Sequence, residues 1–190
     1  MNYELVEFLL QECLCETPDI NVLDAPESDN DFYKLLHDNK FNNISPTKII
    51  KVDNFYYGIY FRDKTDIMLI LFKNKNINMD SAIAFTGFSL ANKFNFPWIS
   101  YTEVKHSELR NGYATKLYEY LINEYGGIIS DDNISSNMKG IYIKLLDKYN
   151  RYVMDNHYKI KELKNIEFKP REMFLISKEK LDVDEWNSIT

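Results

Sequence analysis

Cysteine is almost absent: Cys13 and Cys15 are the two in 190 residues, with one residue between them. Neighbours that close do not form an unstrained disulfide, and without further cysteines there is no zinc site of the usual four-ligand kind. A reducing cytoplasm is the expected compartment. An excess of positive charge is also missing. With 29 acidic residues against 23 Lys and Arg the net charge is −6, so nucleic acid is not an expected partner, because phosphate backbones demand a basic surface. The acidic balance would draw a cationic amine or a basic protein, or serve solubility alone. Met1 to Leu14 breaks up its apolar residues with Glu4, Glu7 and Glu12 and has no basic flank, so neither a signal peptide nor a membrane span is expected there. No Ser/His/Asp or Cys/His triad emerges, and His37, His106 and His157 lack metal-ligand spacing, so no metal site is expected. There is no internal repeat, and no low-complexity segment beyond a general abundance of Asn and Lys.

What is present is apolar and aromatic. Hydrophobic residues make up 45% and aromatics 15%, with 14 Tyr and 12 Phe, a composition for one well-buried core rather than a disordered chain. A single domain over 1–190 is expected, with N-terminal helices and a loop over 1–45, antiparallel strands over 46–105, and helix and strand units over 106–190. Leu5, Phe8, Leu9 and Glu12 space one face of a short helix, and Pro18 and Pro26 mark a loop after it. Phe32, Leu35 and Leu36 recur at helical spacing in Asp31 to Asp38. Ile49 to Val52, Phe55 to Phe61 and Thr65 to Phe72 read as strands separated by short polar turns, the pattern of an antiparallel meander. Ser81 to Leu90 and Trp98 to Val104 follow as two more strands. Gly126-Gly127 stops the next helix, and Ile128 to Ser130 reads as a buried parallel strand. Asp131 to Ser136 is suited to cap the helix that Met138, Ile141, Tyr142, Leu145 and Leu146 define. Tyr152 to Asp155 and Met173 to Ser177 close the chain as a terminal strand pair. The order is that of a mixed α/β sheet: a meander, then β-α-β-α and two strands.

The chemistry concentrates between Val104 and Tyr120. After the strand Trp98 to Val104, the run Leu109-Arg110-Asn111-Gly112-Tyr113-Ala114 opens a helix with Ala114, Leu117, Leu121 and Ile122 at helical spacing. A glycine turn between a strand and a helix start is an anion site, since the first-turn N–H groups point out of the helix and the peptide dipoles favour negative charge there. Gly112 allows close approach of backbone to a ligand, Ala114 is nearly as small, and Arg110 can add a charge-assisted bond to a diphosphate.

This run resembles the pyrophosphate-binding turn of the GNAT acetyltransferases, Arg/Gln-x-x-Gly-x-Gly/Ala after a strand. Gly112-x-Ala114 fits, while the first position falls on Leu109 and the arginine stands one place later as Arg110. Three readings remain: a turn one residue shorter, an Arg110 that serves from a shifted position, or a weakened diphosphate grip with Leu109 packed under the turn. Ile128-Ile129-Ser130-Asp131, followed by a helix with Tyr142 and Lys144-Leu145, looks most like the phage-encoded members of the family.

The resemblance implies a GNAT-like fold and acetyl-CoA as co-substrate. Its pantetheine would pair with the edge of the central strand at Tyr101, Thr102 and Val104, and its diphosphate would lie on the N–H groups of Leu109, Arg110, Asn111, Gly112, Tyr113, Ala114 and Thr115. It also implies a carboxylate base at Glu103, with His106 as alternative, and a tyrosine acid at Tyr142, with Tyr149 if the helix register differs. Ser130 and Asp131 would line a substrate cleft or cap a helix. The implied activity is direct acetyl transfer to an amine, of a small molecule or a protein, in the cytoplasm, or the host's cytoplasm for a phage product. The alternative is a GNAT-fold protein without catalysis that binds a partner protein, its cleft plugged by side chains such as Phe94, Phe96 or Tyr113. A monomer or an assembling homodimer fits either reading.

Overall fold

The computed structural model describes residues 27–38, 45–61, 66–90, 95–131, 134, 136–164 and 173–189. The helix expected over Met1 to Leu14, the two cysteines and Phe94 lie outside the described residues. The elements run α1 (Asp29–Asp38), β1 (Lys48–Val52), β2 (Phe55–Phe61), β3 (Ile67–Phe72), β4 (Ala82–Ser89), β5 (Trp98–Val104), α2 (Tyr113–Tyr125), β6 (Gly127–Ile129), α3 (Ser136–Lys148), β7 (Asn150–Met154), β8 (Ile160–Glu162), β9 (Met173–Ser177) and α4 (Val183–Ile189). The strands form one mixed sheet in the order β1-β2-β3-β4-β5-β6-β9-β7-β8.

The meander β1 to β5 is antiparallel throughout. Its first hairpin turns on Asp53 and Asn54, with Asp53 at φ 52, the left-handed geometry that two-residue hairpin turns require and that Asp tolerates. All six residues of β3 are buried, because helices cover both faces of the sheet. On one face Phe32 and Leu36 of α1 pack on Tyr60, Met68, Ile70, Phe72 and Phe85. On the other, Leu117, Leu121 and Ile122 of α2 and Leu145 of α3 pack on Ile59, Leu69, Leu71 and Ile99. Gly126 ends α2 at φ 85 with its N–H on the Ile122 carbonyl at 2.9 Å, the left-handed stop its sequence predicts.

The strands expected at Tyr152 to Asp155 and Met173 to Ser177 are β7 and β9, and they pair with each other. β9 enters the sheet between β6 and β7, antiparallel to both, while β8 lies outside β7. The strand β8 and the helix α4 were not expected from the sequence; both are short and their apolar residues few. Trp186 of α4 donates from Nε1 to the Tyr158 carbonyl at 3.0 Å and stacks on Phe96, which fastens α4 over this end of the sheet.

Two features of β5 position everything that follows. Its pairing with β6 is parallel and, among the described residues, confined to Trp98 and Ile129, so the two strands part beyond that point. Its register against β4 shifts between Gly87 and Phe88: Phe88 faces Ile99 and Gly87 faces Tyr101, leaving Ser100 as the extra residue. The bulge turns Tyr101 and Glu103 to the α1 face and Thr102 and Val104 to the α2 face. It also seats the Tyr101 ring directly on Gly87, where a Cβ would collide with ring atoms. Gly87→Ala must therefore push that ring aside, and a loss of roughly 1–3 kcal/mol in urea unfolding is expected; a cost within about 0.5 kcal/mol, the level of an ordinary surface change, would refute this contact.

Candidate functional site

Beyond Val104 the chain makes a short 3-10 turn, His106–Glu108, passes Leu109, and reverses through Arg110 at φ 65 and Gly112 at φ 77 before α2 begins. The turn is pinned to α1: Asp29 accepts from Ser107 N at 2.8 Å and Ser107 Oγ at 2.9 Å, and pairs with Lys105 Nζ at 3.4 Å. The first backbone bond of α2 runs from Lys116 N to Gly112 O at 3.1 Å, and no side chain caps the helix. The N–H groups of Tyr113, Ala114 and Thr115, the first three in the helix, thus have no helical or side-chain cap partner. A Cβ at Gly112 would meet nothing within 4 Å. An open approach over uncapped N–H groups fits a diphosphate.

The side chains around the turn give a mixed field. Leu109 is 39% exposed, so it does not pack under the turn. Arg110 and Asn111 are exposed, and Asn111 Nδ2 donates to Glu108 at 3.2 Å. Glu108 pairs with Lys73, whose Nζ sits 5.5 Å from the Tyr113 ring. The Glu108 carboxylate opposes an incoming anion, and Lys73, the residue after β3, offsets it. Lys73 was not foreseen, because 40 residues separate it from Tyr113 in sequence.

Glu103 does not point to solvent. It is 7% exposed, faces Phe85 across the β4–β5 pair, and burial pushes its carboxyl up to about 7, near the value a general base needs at neutral pH. His106 lies exposed on the 3-10 turn. Tyr142 is 2% exposed, with its ring 5.6 Å from that of Tyr118 and 6.5 Å from that of Phe174. Burial first, and Tyr118 second, hold its hydroxyl well above the ordinary tyrosine value. Tyr149 follows α3 and packs half-buried against the same core. Glu103 and Tyr142 are not brought together: they lie on opposite faces of the sheet, with β5 between them.

Two residues the sequence did not single out, Thr86 and Tyr118, join Thr102 of the central strand to α2 through their hydroxyls. Thr86 Oγ1 donates to the Tyr101 carbonyl at 2.9 Å and lies 2.7 Å from Thr102 Oγ1, which is 2.9 Å from the Tyr118 hydroxyl. Ser130, by contrast, is fully buried; it accepts from Phe174 N at 2.7 Å and donates to the Asp131 carbonyl at 2.9 Å. It extends the β6–β9 ladder rather than lining a cleft, and Asp131 beside it is half-buried. Phe96 packs against Gly127 and stacks on Trp186 at the closed end of the β5–β6 pair, and Tyr113 packs edge-on to Phe55 at 5.8 Å, so neither ring is directed between the parted strands.

No family model matches the sequence, and no curated protein matches it. Among solved structures, the chain is similar to the ribosomal-protein-S18-alanine N-acetyltransferase of Escherichia coli, at 17% identity over 60% of this chain and 68% of that one, TM-score 0.36. It is similar to a Bacteroides thetaiotaomicron protein assigned to the GNAT acetyltransferase family, at 16% identity over 96% and 83%, TM-score 0.38. It is also similar to Tetrahymena GCN5, at 14% identity over 63% and 73%, TM-score 0.38. At these scores the likeness carries no inference about the activity of this chain.

The raised Glu103 carboxyl gives stability a sign with pH. The folded chain keeps the proton up to about pH 7, whereas an unperturbed glutamate releases it near 4.5. Between those values the folded state binds more protons, so stability falls as pH rises through that window. Glu103→Gln removes the slope, and the variant is expected to gain up to roughly 3 kcal/mol on the parent protein at pH 8 in urea unfolding. Equal pH slopes in the two proteins would mean the carboxyl is not held in an apolar site.

Proposed function

We propose that the chain is an acyl-CoA-dependent N-acetyltransferase that passes acetyl directly from acetyl-CoA to an amine of a small molecule or a protein. The observation that carries this reading is the course of β5: it loses its β6 partner beyond Trp98 and leads, through the 3-10 turn, to an uncapped helix start with open space at Gly112. Backbone of Tyr101, Thr102 and Val104 along the released edge is suited to the amides of an extended pantetheine, as in strand addition. The N–H groups from Leu109 to Thr115 are suited to its diphosphate. Because backbone makes these contacts, Leu109 need not abolish them.

Glu103 takes the base role. Ionised above about pH 7, it accepts the proton that the amine gives up as nitrogen attacks the thioester carbon and the carbon–sulfur bond breaks. Tyr142, on the opposite side of β5 from Glu103, is assigned the return of a proton to the departing sulfur, so that acid and base would act on the thioester from the two sides of the strand. The Ser130-Asp131 strand end and Lys144-Leu145 support a place beside the phage-encoded enzymes of this type, working in a cytoplasm.

One observation favours a second reading. Leu109 is exposed at the position where the resembling enzymes hold Arg or Gln, as in a protein of this fold that binds a partner and has given up catalysis. Calorimetric titration with acetyl-CoA separates the two. Micromolar binding is expected, abolished in Gly112→Trp, whose folding is checked by its unfolding transition. Glu103→Gln is expected to bind as the parent does and to lose about 10²-fold or more in turnover across a panel of amines, with the remaining parent activity rising with pH through about 7. No heat, and no thermal stabilisation in large ligand excess, would sink the enzyme reading and favour the partner-binding one.

A further inference from the structure

We infer that Asp29 is a positioning residue for the turn Lys105 to Gly112: through it α1 clasps the end of the sheet where β5 runs on to α2, and that grip sets how tightly the turn holds acetyl-CoA. The affinity half of this inference rests on the acetyltransferase reading; the grip itself does not.

The grip is made by one carboxylate on one residue of the turn. Asp29 Oδ1 accepts from Ser107 N at 2.8 Å and Oδ2 accepts from Ser107 Oγ at 2.9 Å, across 78 positions of sequence. Both bonds run to a charged acceptor, which makes them the stronger kind. Two bonds to the same residue fix the direction of the chain as well as its place, which one bond would not. Lys105 Nζ, 3.4 Å from Oδ2, adds its charge. Downstream of Ser107 the chain must still reverse through Arg110 at φ 65 and Gly112 at φ 77 before α2 begins, so the position of Ser107 is passed on to the N–H groups proposed for the diphosphate.

The helix that grips the turn has its own anchorage. Phe32 and Leu36 are buried against the sheet. Tyr33, one turn along from Asp29, donates from its hydroxyl to the Asp80 carbonyl at 2.6 Å, in the 3-10 turn Met79–Ser81 ahead of β4. Because β4 and β5 are antiparallel, with Ala84 opposite Val104, the start of β4 and the end of β5 lie at the same end of the sheet, and α1 is fastened to both. The Phe32 ring lies 5.2 Å from that of Phe85, the residue opposite Glu103. One helix thus holds the turn and packs beside the proposed base. A turn that is already fixed loses less conformational freedom when a ligand binds, so affinity follows the grip.

Three variants separate this role from a general loosening of α1. Asp29→Ala removes both bonds to Ser107. Asp29→Asn keeps both, since its Oδ1 accepts from Ser107 N and its Nδ2 donates to the lone pairs of Ser107 Oγ. Tyr33→Phe breaks the fastening at Asp80 and leaves Ser107 held. Calorimetric titration is run where unfolding transitions show every variant folded. Asp29→Ala is expected to raise the acetyl-CoA dissociation constant about tenfold or more, Asp29→Asn to stay within about threefold of the parent, and Tyr33→Phe to match it. Parent-like affinity in Asp29→Ala would overturn the inference. So would a loss in Asp29→Asn or Tyr33→Phe as large as in Asp29→Ala, which would assign the effect to charge or to the docking of α1 at large. Amide exchange in the ligand-free protein reads the grip without a cofactor. Ser107 and Glu108 are expected to exchange about tenfold faster in Asp29→Ala than in the parent, and at the parent's rate in Tyr33→Phe. Unchanged rates in Asp29→Ala would show that the carboxylate does not hold the turn. If acetyl-CoA binds neither the parent nor the variants, the acetyltransferase reading fails, and amide exchange still decides the grip.

Discussion

The two edges of β5 are held unequally, and the rest of the candidate site depends on that imbalance. Against β4 the strand is paired from Trp98 to Val104, interrupted at Ser100; against β6 it is paired at Trp98. A parallel neighbour reached through a helix must leave the sheet plane and return, and here it returns for three residues. The strand therefore keeps its place in the sheet through one edge and presents backbone groups along the other. The direction of β5, handed on through the 3-10 turn that Asp29 pins, also sets where α2 starts. An open strand edge and an uncapped helix end come to lie in sequence along one line.

The bulge at Ser100 gives that line two chemically different sides. On the α1 face Glu103 sits among Phe85 and Tyr101, out of water, and its carboxyl answers burial by holding its proton to about pH 7. On the α2 face Thr102 belongs to a hydroxyl chain in which every proton has a place. The two sides solve the same problem, polar groups out of water, in opposite ways. The carboxyl meets it by a change of protonation, and the hydroxyls by pairing with one another. A single strand separates a group that gains or loses charge near neutrality from groups that stay neutral over the whole physiological range.

Much of the architecture was legible in the residues. The meander, the strand Trp98–Val104, the helix from Tyr113 and its Gly126 stop all appear where local pattern places them, because alternation, helical spacing and glycine stops are properties of a few neighbouring residues. Less was legible after Met154. β8 has one buried residue, Ile160, in three, and α4 has one, Trp186, among its described side chains, so neither carries a period to read. That β9 sits between β6 and β7 is a matter of which strand edges were left free, and no local pattern states it.

The sequence by itself determined that this is a mixed α/β chain with a glycine turn joining a strand to a helix, since those are consequences of side-chain size, backbone freedom and apolar spacing within short windows. Which face Glu103 takes was decided only by tertiary structure. Alternation alone would put Glu103 with Tyr101 and Ile99, and the extra residue Ser100, visible only in the pairing with β4, parts Ile99 from the other two. The company Tyr142 keeps was decided in the same way. Tyr118 and Phe174 lie 24 and 32 residues away in sequence, and rings so distant meet only when a sheet and two helices close over them. Burial is a property of the whole packed chain, and both the raised carboxyl and the ordered hydroxyls are effects of burial.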